Sequence, residues 1–165
     1  MPPWASTADW QAANRSIAFH LRRYHLQGDK VTTLSQKLSD CLTSISPLLD
    51  ELCANTCVWC PEPCCLAAKV WFDFQDLLYL HTGRQPIPLA QPLQNLKNTC
   101  RYLSKRGCTL PRLIRPWICT WYLCPVQKSN LKNRSLYQLK IINQHVQQIK
   151  KYRKELEAEY IRIVS

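Results

Sequence analysis

Glycine is almost missing from this chain, with three residues in 165. Phosphate-cradling loops and doubly wound α/β sheets need glycine at their turns, so neither is expected. Histidine is scarce too: there are four, none beside a candidate nucleophile, and no Ser/His/Asp arrangement can be assembled. No run approaches the ~18 consecutive apolar residues that a membrane span needs. The leading MPPWASTADWQ has neither a basic region nor an apolar stretch. A secretory signal is therefore not expected, and the chain reads as cytoplasmic, without membrane contact. Acidic residues vanish between Asp76 and Glu155, an interval that carries fifteen Lys and Arg. The net charge of +11 is thus unevenly spread. Such a field can attract nucleic acid, an acidic protein or a phosphorylated ligand, or simply form a solvated basic face. Finger-type nucleic-acid binding would need a repeat such as C-x2-C…H-x3-H or C-x2-C…C-x2-C, and none is present.

Helical periodicity, by contrast, runs through most of the chain. With 165 residues and 20% of them charged, it suits one globular domain. We divide it into N-terminal helices (1–52), a cysteine-rich core (53–126) and a C-terminal amphipathic helix (127–165). Trp10, Ala13, Ile17, Leu21 and Tyr24 form a first apolar stripe, followed by a turn at Gln27-Gly28-Asp29. Leu34, Leu38, Cys41, Ile45, Leu48 and Leu52 form a second. Pro47 falls inside it, predicting a kink or a restart with Ser46 as the new N-cap. Residues 66–80, LAAKVWFDFQDLLYL, read as one buried helix that ends at His81-Thr82-Gly83. His81, alone at a helix end, reads as a surface residue rather than a ligand. Residues 85–92, with three prolines, read as an extended connection, 93–103 as a short basic helix, and the chain through Pro125 as irregular. Residues 130–163 read as one long helix striped by Leu139, Ile142, Val146, Ile149, Leu156, Tyr160 and Ile163, interrupted at Arg153. That stripe suits packing across a bundle or against a protein partner. No strands are expected. The fold class is mostly α: a helical bundle around a cysteine-rich knot with irregular loops.

Cysteine is plentiful, with ten residues. Cys41 lies on the second stripe and reads as a buried small apolar side chain. The other nine form two groups: Cys53, Cys57, Cys60, Cys64 and Cys65, then Cys100, Cys108, Cys119 and Cys124. In a reducing compartment such clusters hold metal more often than they form disulfides. Quartets of soft thiolates suit both Zn²⁺ and iron–sulfur clusters. The C-x2-C of Cys57 and Cys60 lets two side chains converge from a turn. Adjacent side chains diverge, so Cys64 and Cys65 either serve different metals or only one of them ligates. Cys53, Cys57 and Cys60 also match the C-x3-C-x2-C spacing of radical-SAM enzymes. That chemistry needs a partial barrel and a glycine-rich stretch, and this chain offers neither. Trp59, Trp71, Phe72, Trp117, Trp121 and Tyr122 crowd the cysteines, as a dry shell around a cluster or simply as core. The reading is a metal-binding accessory or electron-carrying module, with iron–sulfur ahead of zinc. Its alternatives are an iron–sulfur-dependent redox or methyl-transfer enzyme and a basic nucleic-acid-binding zinc protein. Asp73 and Asp76 read as a supporting salt bridge, for instance Asp76 with Arg115, rather than as a proton-handling pair or ligands for a hard metal.

Across residues 53–126 the pattern resembles the YkgJ-like cysteine-cluster family, described as a zinc- or iron-chelating domain. Its elements are Cys57, Cys60, Cys64 and Cys65; Cys100, Tyr102 and Leu103; Gly107 and Cys108; and Arg115, Pro116, Cys119 and Tyr122. Pro61-Glu62-Pro63 is one residue longer than the family's usual spacing. The resemblance implies metal binding without implying an activity. A related motif occurs in flagellin lysine methylases, which are thought to carry an iron–sulfur cluster.

Overall fold

A computed structural model describes residues 2–24 and 29–165. Of the turn expected at Gln27-Gly28-Asp29, Gln27 and Gly28 lie outside the described residues, while the backbone of Asp29 already opens a helix. The fold is mostly α, as the periodicity implies. Helix α1 spans Thr7–Arg23, capped by Ser6, whose hydroxyl accepts from the Asp9 backbone at 3.0 Å. Helix α2 spans Asp29–Thr56, and the short α3 covers Cys64–Ala67. Helix α4 spans Phe74–Thr82. Strands β1 (Leu103–Ser104) and β2 (Gly107–Cys108) form a small hairpin, which the sequence did not suggest. A 3-10 turn at Arg112–Ile114, α5 (Ile118–Trp121), α6 (Pro125–Arg134) and α7 (Leu136–Val164) complete the chain. Among the described residues no helix is long and apolar enough to cross a membrane.

Helices α2 and α7 form the spine and run antiparallel. Lys30 pairs with Glu159 at 2.7 Å and Cys41 Sγ meets Gln148 Oε1 at 3.6 Å, while Glu51 pairs at 2.9 Å with Arg134, the last residue of α6, just before α7 begins. Leu38, Ile45, Leu49 and Leu52 of α2 are buried with Ile142, Ile149, Leu156 and Tyr160 of α7. Each such side chain contributes about 1.5–3 kcal/mol on leaving water. The α7 stripe is therefore spent inside this fold. Helix α4 adds Leu77, Leu78 and Leu80, and α1 adds Trp10 and Ile17.

Four expected boundaries differ. Pro47 interrupts nothing: α2 is one element, and Ser46 is no cap but donates to the Leu42 carbonyl at 2.7 Å. Pro47 and Thr43 are both exposed, so water can serve the Thr43 carbonyl that the proline leaves without an N–H. The helix expected at 66–80 is broken. α3 ends at Ala67, and α4 begins only after Asp73, which caps it reciprocally with Asp76. Residues 93–102 form bends, turns and irregular chain rather than a helix, and Leu103 opens β1. The long C-terminal helix is two helices, split at Ser135, whose hydroxyl caps α7 by accepting from Gln138 N at 3.2 Å. The apolar stripe begins at Leu139 and lies wholly within α7, so periodicity carried no signal of the split at Ser135.

Candidate metal centre

The irregular middle of the chain is held by buried polar side chains rather than by regular secondary structure. Gln91 is fully buried. Its Oε1 accepts from Phe72 N at 2.8 Å, and its Nε2 donates to the carbonyls of Phe72 and Pro3, each at 2.9 Å. One side chain thus ties together the N-terminus, the strand-like approach to α4 and the proline-rich connection. Tyr102 does similar work beside Cys100: its hydroxyl donates to the Ala90 carbonyl at 2.7 Å and accepts from the Ala90 N–H at 3.3 Å. Gly107 adopts φ +100°, which L side chains avoid, and this turns the hairpin so that Cys108 lies opposite Leu103.

Arg153 supplies the strongest tie. Its guanidinium is almost completely buried and donates to Asp76 Oδ1 at 2.6 Å and to both oxygens of Asp73 at 2.8 and 2.9 Å. It also lies over the Trp117 ring, 5.4 Å from the centroid. Asp76 Oδ1 accepts from Trp117 N at 3.1 Å, so the carboxylate joins α7, the start of α4 and the segment leading to Cys119. Burial pushes the Asp76 carboxyl up to about 6, against the pull of Arg153. This corrects the expected pairing with Arg115. Arg115 Nε instead donates to the Leu110 carbonyl at 2.8 Å. The interruption of the α7 stripe at Arg153 was the signal that could have found the true partner.

All ten cysteines are free thiols. Cys41 is buried on α2 as expected. Cys53, Cys57, Cys64, Cys65, Cys100, Cys108 and Cys119 line one cavity of about 450 Å³, whose walls include Leu49, Leu52, Val70 and Leu123. Cys60 and Cys124 are not part of that lining. The fold thus gathers seven of the nine expected ligands from four separate stretches of chain. Among the described residues, no group of three or more His, Cys, Asp or Glu side chains is drawn tightly enough to hold a metal ion. His81, also unbound to the thiols, meets Asn14 Oδ1 at 2.8 Å.

Polar neighbours that sequence reasoning missed reach the sulfurs. Arg112 is buried, pairs with Asp50 at 2.8 Å, and donates to Cys53 Sγ at 3.4 Å. Gln127 Nε2 donates to Cys57 Sγ at 3.3 Å and Cys53 Sγ at 3.6 Å, while its backbone N–H reaches Cys124 Sγ at 3.5 Å. Cys53 and Cys57 share a hydrogen bond, which with Arg112 holds Cys53 down to about 5 and drives Cys57 up. Burial, then repulsion among the sulfurs, pushes Cys65 up to about 11 and Cys119 up to about 12. Thiols crowded in this way hold their protons tightly until a cation relieves the repulsion. The donor set fits a thiophilic metal: many sulfurs, apolar walls, and N–H donors aimed at sulfur. Cys53, Cys57, Cys64, Cys65, Cys100, Cys108 and Cys119 line the cavity together with Arg112, Arg115 and Gln127.

No family model matches the chain, and no curated protein or solved structure matches it either.

Proposed function

We propose that this is a metal-binding protein whose cysteine-lined cavity holds an iron–sulfur cluster or zinc, acting as an accessory or electron-carrying module in a reducing compartment such as the cytoplasm. The convergence of seven cysteines on one apolar cavity of about 450 Å³ carries this reading. The YkgJ-like motif resemblance agrees with it. A single Zn²⁺ bound by four sulfurs at ~2.3 Å would leave little space between them. A cavity of this size and the N–H donors on Cys53 and Cys57 support the iron–sulfur reading over zinc, since hydrogen bonds to sulfur tune such clusters.

A protein partner would meet the exposed apolar side chains flanking the cysteines in sequence, Trp59, Leu66, Trp121 and Tyr122, because the α7 stripe is covered by α2. Nucleic-acid binding is a weaker reading than the charge run suggests. Arg112, Arg134, Lys151 and Arg153 are each paired with a carboxylate of this chain.

The test is purification without oxygen, followed by visible absorption, elemental analysis and labile-sulfide assay. Broad absorption near ~400 nm with iron and sulfide assigns the iron–sulfur form. A colourless protein with stoichiometric zinc assigns a structural knot. A metal-free protein rejects the reading.

A further inference from the structure

Cys53 lies in the last turn of α2, and Cys57 is the first residue beyond the helix. The turn between them is intact, because Cys57 N donates to the Cys53 carbonyl at 2.8 Å. Side chains four apart on a helix share a face, with Cβ atoms about 5–6 Å apart. Both sulfurs here accept from one nitrogen: Gln127 Nε2 donates to Cys57 Sγ at 3.3 Å and to Cys53 Sγ at 3.6 Å. The two thiols also share a hydrogen bond. Among the described residues no other two sulfurs accept from the same nitrogen. A disulfide needs its Cβ atoms about 3.5–4.5 Å apart, so closing one here draws Cys57 inward by ~1–2 Å. Cys57 can supply that movement, since it leads into a turn, where Cys60 N donates to its carbonyl at 3.3 Å, and not into more helix. Cys64 and Cys65 are poorly placed for the same bond. Neighbouring Cα atoms are about 3.8 Å apart, short of the ~4.4–6.8 Å that a disulfide spans.

Both residues lie on the wall of the cavity, and the cavity opens to solvent at α3: Cys64, Cys65, Ala67 and Lys69 line it and are exposed. Its charged lining residues are Lys69, Arg112 and Arg115, with no Asp or Glu among them. A small reagent entering there is favoured when it carries carboxylates. The two thiols are not equivalent. Buried Arg112 donates to Cys53 Sγ at 3.4 Å, whereas Cys57 Sγ meets the Thr56 hydroxyl at 3.7 Å. The guanidinium stabilises negative charge on the Cys53 sulfur as it attacks, so Cys53 reacts first and Cys57 second.

We propose that Cys53 and Cys57 are a dithiol–disulfide pair that exchanges with anionic disulfides of low molecular weight, RS–SR. In the first step the Cys53 sulfur attacks one sulfur of RS–SR. The S–S bond of the reagent breaks, one RSH leaves with the Cys53 proton, and Cys53 becomes a mixed disulfide. The Cys57 sulfur then attacks the Cys53 sulfur, and the second RSH leaves with the Cys57 proton. The two cysteines lose two electrons and two protons, and RS–SR gains them as two thiols. This exchange goes beyond the metal-binding reading and stands without it.

The experiment exposes the full chain, purified reduced and without oxygen, to glutathione disulfide, both as purified and after chelation of any metal. Free thiols are trapped in acid and the linkages mapped by peptide mass spectrometry. The Cys53–Cys57 linkage should form first, about tenfold or more ahead of any other. Cys57→Ser should stop at a mixed disulfide on Cys53. Cationic cystamine should oxidise the pair at least ~tenfold more slowly than glutathione disulfide does. The proposal is overturned if the first linkage joins other cysteines, if Cys53 and Cys57 stay reduced in both preparations, or if cystamine reacts as fast. Where far-UV circular dichroism shows that Cys57→Ser does not fold, the wild-type linkage map decides alone. Metal is counted on the same wild-type preparation. A chain that carries no metal yet forms the linkage keeps the pair and rejects the metal-binding reading. A chain that carries metal yet leaves the pair reduced after chelation does the reverse.

Discussion

Arg153 shows how much of this fold turns on single polar residues. It is a buried charge interrupting the α7 stripe, and its two carboxylate partners include the almost completely buried Asp76. Breaking a buried pair from one side costs far more than the pair contributes, because the remaining charge has no water. Arg153→Met should therefore lower stability by about 3–5 kcal/mol in urea unfolding. The double variant Arg153→Met/Asp76→Asn should recover part of that loss. A loss below ~1 kcal/mol for the single variant would show that the network is incidental. Glu159 acts in the opposite electrostatic sense. Hydrogen bonds from Arg162 and Lys30 hold its carboxyl down to about 2 from 4.5, and those two side chains cover it rather than the core. A carboxyl whose pKa is depressed in the fold binds its proton more weakly there than in the unfolded chain. Its contribution is thus present above pH 4.5 and is lost as pH falls toward 2. The melting temperature of the wild type should drop more steeply across that window than that of Glu159→Gln, and parallel curves would count against the pairing.

The elements show a different balance, in which regular helices were easy to read and their interruptions were not. Pro47 is the clearest case, since proline inside a helix predicts a break and α2 has none. Its position on the exposed face removes the packing consequence and leaves only the missing hydrogen bond and ring crowding. Pro47→Ala should accordingly raise the stability of α2, by up to about 3 kcal/mol, seen as a higher urea midpoint. An unchanged midpoint would mean that α2 accommodates the proline without strain. The stripes at 34–52 and 139–163 were legible because every third or fourth side chain had to leave water on one face. The break before α4 was not, because the apolar run 66–80 suits a helix throughout. What decides the break there is the side-chain exchange between Asp73 and Asp76, fixed in turn by an arginine about eighty residues further along. The clustering of the cysteines could be read from sequence, but not their grouping. Spacing says that thiols are near in the chain, whereas the fold brings Cys100, Cys108 and Cys119 to the cavity that Cys53 and Cys57 also line, and Gln127 links the last two. Arg112 and Gln127 carried no sequence signal, since neither sits in a periodic pattern.

At the scale of the whole molecule, two kinds of order meet along one boundary. The α2–α7 spine, with α1 and α4 against it, has its backbone hydrogen bonds inside helices and its apolar side chains in a shared core. The cysteine segments have a two-residue hairpin, two single-turn helices and a few anchoring side chains such as Gln91 and Tyr102. Local stability follows the density of such contacts, so the two parts should not open together. If metal links α3, the hairpin and α5, its free energy of binding is folding free energy for those segments and only weakly for the spine. Chelating the metal should then raise hydrogen exchange across roughly 57–72 and 100–124 by at least about tenfold, while amides in α2 and α7 stay protected and the helical circular dichroism changes little. The Arg153 network is the joint through which that loosening could spread, because Asp76 holds the Trp117 backbone on one side and α7 on the other. Exchange that rises equally in the spine would mean that cluster and bundle form one cooperative unit. Exchange that rises nowhere would mean that the cysteine segments hold their shape without metal, and Gln91, Tyr102 and Arg153 would then suffice to order them.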